Sequence, residues 1–173
     1  DREVELPLLR EAGGVRTPSW DEALRWLAER LRRAPKPLVV ASANLSNEAL
    51  FEVRRQLAEG AHMTVLVPVN EGPGRRIKNG RGEWNASRDA HPNSTGARLL
   101  GLPTVDAPTL EACFRDSEGP ILVLDAHAHP WLASEAAAAA AAGREIAVAA
   151  RLRTPLVAGA ALSELPVERG EAQ

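Results

Sequence analysis

The sequence has no tyrosine, two phenylalanines, four tryptophans, one methionine and one cysteine. Each scarcity closes something off. A lone thiol, Cys113, cannot form an intramolecular disulfide, nor can it build an iron–sulfur cluster or a zinc site that needs several thiolates of this chain. With aromatics at 3%, aliphatic side chains must fill the core. An excess of one charge is also missing. Twenty-one basic residues against 23 acidic ones leave a net charge of −2, whereas nucleic-acid binders advertise themselves by a basic balance. No nucleic-acid partner is expected. No stretch reaches the roughly 18 uninterrupted apolar residues of a transmembrane helix, so direct membrane insertion is not expected either. Asp1-Arg2-Glu3-Val4-Glu5 is too charged for a secretory signal.

What is present is globular in character, with 45% hydrophobic and 25% charged residues in 173. That length suits one domain, residues 1–173, and a chain of this size buries roughly 70% of its unfolded surface. Two parts are expected: a leading segment with an amphipathic helix (1–35) and a Rossmann-like core (36–173). In the first, Gly13-Gly14 marks a turn. Ser19 followed three residues later by Glu22 is a capping box, and Trp20, Ala23, Leu24, Leu27 and Leu31 recur at helical spacing until Pro35 and Pro37.

In the second, Leu38–Ala41, Thr64–Val67, Pro120–Leu124 and Ile146–Ala149 are continuous apolar runs, the pattern of strands buried on both faces, and Leu156-Val157 is a candidate fifth. Helices are expected at about 47–59, at Leu110–Phe114 and at Leu132–Ala142, the last closed by Gly143. The alternation predicts an α/β three-layer sandwich on a mostly parallel sheet of four to five strands. Residues 70–103 read as an irregular loop with one helical turn at Thr95–Leu100; a loop this long is functional or misassigned.

Chemistry has few footholds. Asp125-Ala126-His127-Ala128-His129 follows a strand and resembles the motif that opens metal-dependent amidohydrolases, where alternate residues aim imidazoles at one metal. That family needs an eight-stranded barrel of about 250 residues, and no His, Lys or Cys follows His129. The bland reading is a polar strand-to-helix loop with Pro130 opening the helix. Arg75, Arg76, Lys78, Arg81 and Arg88 alternate with glycines across the 72–88 segment, which suits an anion. The segment matches no phosphate-loop fingerprint, and Glu71, Glu83 and Asp89 dilute it. The turn Ala41-Ser42-Ala43-Asn44 lacks the glycine a dinucleotide requires. Cys113 reads as a small core residue, and Ser46-Asn47-Glu48 and Ser163-Glu164 as helix caps.

Three stretches resemble the molybdopterin-oxidoreductase superfamily, in particular the large iron–sulfur (G) subunit of NADH-quinone oxidoreductase. Leu6-Pro7-Leu8-Leu9-Arg10, the Gly-Gly turn and Trp20-Asp21-Glu22-Ala23-Leu24 are similar to the opening of that domain. Pro92-Asn93-Ser94-Thr95-Gly96-Ala97-Arg98-Leu99-Leu100-Gly101 is similar to a second segment. Ala158–Glu164 with Arg169–Gln173 resembles a third in degraded form. They occur in the family's order.

The resemblance implies a trimmed version of the domain, without the cluster-binding domains, their cysteine ligands or the second α/β half. It implies a cofactor-free, non-catalytic scaffold of the respiratory peripheral arm. That scaffold would be cytoplasmic and held near the membrane by partner subunits that carry the iron–sulfur clusters and FMN. Active relatives hold a pterin in their strand-end loops; for a pterin-dependent fragment the candidate contacts are Asn44, the 72–82 loop and Asn93. For a metal, the candidates are Asp125, His127 and His129.

Overall fold

The computed structural model describes residues 6–11, 14–69, 76–80, 82–85, 92–125, 130–149 and 162–165. The chain is a three-layer α/β fold. Strands β1 (Leu9–Glu11) and β2 (Gly14–Arg16) form an antiparallel hairpin ahead of helix α1 (Trp20–Arg33). Ser19 Oγ accepts the Glu22 backbone N–H at 3.2 Å, as a cap should. The capping box is only half made, because the Glu22 carboxylate turns to Arg16 instead. An available guanidinium offers it a charge-assisted bond that the Ser19 backbone N–H cannot match.

The core is a six-stranded sheet. Strands β3 (Leu38–Ala41), β4 (Thr64–Pro68), β7 (Thr104–Val105), β8 (Ile121–Leu124), β9 (Ile146–Ala149) and β10 (Leu162–Leu165) lie in the order β10-β9-β8-β3-β4-β7, and every neighbouring pair is parallel. Counted along the chain, this is the 3-2-1-4-5-6 order of a doubly wound sheet, with its topological switch between β3 and β8.

The apolar runs explain why. Leu38 and Val40 enter one core while Val39 and Ala41 enter the other, and Ile121 and Val123 oppose Leu122 in the same way. The first core is covered by α4 (Ala107–Asp116) and α5 (Pro130–Ala141) through Leu110, Phe114 and Ala139. The second is covered by α1, α2 (Asn47–Glu52) and α3 (Ser94–Leu99) through Leu31, Leu50 and Ala97. Each fully buried Val, Leu or Ile contributes about 1.5–3 kcal/mol. Cys113 packs beside the first core as a free thiol, a small apolar filler.

Several expectations change. The sheet gains β7, whose two residues are too few to show a pattern. Leu156-Val157 lies outside the described residues, and the strand beside β9 is Leu162–Leu165, so Ser163 and Glu164 are ladder residues rather than caps. The segment 70–103 is not one irregular loop. It contains the antiparallel pair β5 (Arg76–Asn79) and β6 (Gly82–Asn85) as well as α3. Helix α2 runs on as a π-helical segment, Val53–Gly60. There the Arg54–Glu59 ion pair at 2.7 Å spans five residues, the spacing that a π turn brings together. Among the described residues, no helix is long and apolar enough to cross a membrane.

Candidate functional site

In an open parallel sheet, ligands bind outside the carboxyl ends of the strands where the order reverses. Here that place lies between the turn after β3 and the turn after β8. Strand pairing runs one bond past β3, since Ser42 N donates to Leu124 O at 3.0 Å. The buried Ser42 then organises the turn. Its Oγ accepts the Asn44 N–H at 3.1 Å and its carbonyl accepts the Leu45 N–H at 3.1 Å. This side-chain turn does without the glycine that a dinucleotide site would place here.

The start of α2 is occupied by its own chain. Ser46 Oγ accepts the Ala49 N–H at 3.2 Å. The Glu48 carboxylate takes its own backbone N–H and then the Ser46 hydroxyl, and these hold it below its ordinary value of 4.5. A negative charge therefore already stands at the helix start, where an anionic ligand would otherwise be welcome.

Asn93 and Asn44, the two pterin candidates, divide here. Asn93 N donates to Ala43 O at 3.1 Å and its Nδ2 donates to Leu45 O at 2.6 Å. It is a clamp on the β3–α2 turn, partly buried and engaged at both ends. Asn44 is exposed beside it. Gly96 lies beside the start of α2: a Cβ at that position would meet Asn47 Oδ1, so a larger residue must displace the Asn47 side chain. Ser94 is fully buried at the start of α3.

Across the switch, Asp125 follows β8 with φ of 60°, the left-handed region that Asp tolerates better than most residues. Its N–H donates to Ala149 O at 2.7 Å. His127 and His129 lie outside the described residues. Among the described residues, no three His, Cys, Asp or Glu side chains gather to hold a metal ion. Of the basic segment, Arg76 and Lys78 stand on β5, whereas Arg75, Arg81 and Arg88 are outside the described residues. Sequence reasoning passed over Ser42 and Gly96. The signals were a serine directly after a buried strand and a glycine inside a helical pattern, and neither has meaning until its neighbour in space is known.

No known family, curated protein or solved structure matches this chain. The functional reading therefore rests on the three sequence resemblances and on the chemistry of the crevice.

Proposed function

We propose that this chain is a non-catalytic scaffold and interaction domain of the peripheral arm of a respiratory NADH-quinone oxidoreductase, with the iron–sulfur clusters and FMN on its partner subunits. One observation carries the reading. The Pro92–Gly101 segment, the second of the three resemblances, is the clamp on the switch-point turn, with Asn93 on Ala43 and Leu45 and Gly96 on Asn47. A segment that directs its polar groups into the chain's own turn suits a domain that keeps its shape for partners. It does not suit one that opens the same turn to a cofactor. The self-capped, acidic start of α2 points the same way.

The test is purification of the chain with its native partners at native abundance. Cluster-bearing and flavin-bearing subunits of the oxidoreductase should accompany it in fixed ratio. Recovery without any subunit of a redox complex would remove the proposal.

A second reading keeps one observation on its side. Asn44 is exposed at the switch point of a sheet whose strand order commonly binds ligands there. A pterin-dependent oxidoreductase fragment would use it, and that reading requires a pterin in the protein from its native source.

A further inference from the structure

We propose that Asn79 is a site of spontaneous deamidation, giving isoaspartate at the tip of the β5–β6 hairpin. Of the asparagines at 44, 47, 70, 79, 85 and 93, Asn79 alone precedes a glycine. The reaction brings the backbone nitrogen of the following residue onto the side-chain carbonyl carbon, and a side chain on that residue obstructs the approach. Gly80 has none.

The hairpin adds two conditions. Its ladder closes on the Asn79–Gly82 pair, which leaves the Gly80 N–H in the turn rather than in the ladder. Gly80 is also exposed, so its N–H is open to solvent hydroxide, and a Cβ built on it would meet nothing within 4 Å outside its chain neighbours.

The chemistry needs only water. The Gly80 nitrogen gives its proton to solvent hydroxide and attacks Cγ of Asn79. The new N–Cγ bond forms as Cγ–Nδ2 breaks, and ammonia leaves. Water then opens the succinimide at either carbonyl, giving aspartate or isoaspartate, so one water is consumed for each ammonia released. In the isoaspartyl product the main chain runs through the former side chain. One extra backbone atom enters beside the Asn79–Gly82 pair, with a new carboxylate next to Lys78. The Ile77–Trp84 pairing behind it loosens.

Asn93 supplies the internal contrast. Its neighbour Ser94 is small, but Asn93 Nδ2 is held by Leu45 O at 2.6 Å and Ser94 is fully buried in α3. Ring closure there is blocked.

The test ages the full chain at physiological temperature and mildly alkaline pH and maps isoaspartate by peptide mass spectrometry and enzymatic methylation. Isoaspartate should accumulate first at Asn79, well ahead of Asn93. Gly80→Ala, at a position whose backbone is not left-handed and has free space, should slow it by about tenfold or more, which is ~1.4 kcal/mol of barrier. Asn79→Gln should suppress it while the hairpin pairing persists. An unchanged Asn79 when other asparagines have turned over would overturn the proposal, as would a Gly80→Ala rate equal to that of the parent chain.

Discussion

The two turns that meet at the switch point hold the same topological place and start in different ways. The turn after β3 has no left-handed residue and is tied down by side chains: Ser42 shapes it, Ser46 and Glu48 cap the helix that follows, and Asn93 clamps it from a distance in sequence. The turn after β8 opens with a left-handed Asp125, whose backbone N–H donates to Ala149 O. The contrast teaches that one topological place can be entered by two kinds of local chemistry. Side chains shape the β3 turn, whereas the β8 turn begins with a backbone conformation that few residues adopt.

Substitutions can break or sharpen this contrast. The largest effect should come from Leu50→Ala, which removes the fully buried anchor of α2. We expect a loss of about 2–5 kcal/mol in urea unfolding, because a cavity is left as well as lost burial. Next is Asn93→Ala, which leaves the partly buried Leu45 carbonyl without its side-chain donor. The expected cost is about 1–2 kcal/mol, with faster amide exchange confined to the β3–α2 turn. Equal acceleration at Asp125 would show that the two turns are not independent.

On the other side, Asp125→Ala should cost about 1 kcal/mol, since alanine is strained at a φ of 60°, while Asp125→Asn should cost less. Calorimetry of the pair measures the difference, and equal losses would show that the backbone conformation is not what sets the cost.

The smallest effect is electrostatic. Glu48 sits below its ordinary 4.5, so its folded form holds its proton less tightly than the unfolded chain does. Its contribution is present above pH 4.5 and is lost as pH falls through the lower folded value. Glu48→Gln should flatten that part of the acid dependence of the urea midpoint, and an unaltered acid limb would remove Glu48 from the account.

Much of the fold was legible because buried strands announce themselves. Leu38–Ala41 and Ile121–Leu124 are apolar without interruption, and Ser19, Ser46 and Gly143 mark helix ends by local chemistry alone. Gly143 adopts a φ of 80°, as a helix-ending glycine does. The hairpin at residues 76–85 was not legible, because each strand offers a single apolar residue, Ile77 and Trp84, too few to show an alternation, and the segment reads as turns. The strand at Leu162–Leu165 was missed for a related reason: Ser163-Glu164 is also a cap signature, and only pairing with β9 decides between them.

The site was less legible than the fold. Asn93 stood out as a candidate pterin contact, and its side-chain amide donates to Leu45 O. A residue distant in sequence from Leu45 carries no local sign that it will donate to that carbonyl rather than to a ligand. Gly96 is similar, since its lack of a side chain matters only because Asn47 lies against it.

The central claim of the proposal is that the polar groups of the β3–α2 turn are taken up by the chain itself, as a domain that serves by holding its shape would require. Pterin, nucleotide and metal content, measured per mole of this chain in the complex purified from its native source and assigned to subunits by crosslinking, tests it most directly. The account predicts that clusters and flavin map to the partners and that none of these groups maps to residues 42–48 or 93. A stoichiometric pterin or nucleotide crosslinked to Asn44 or Asn93 would contradict it.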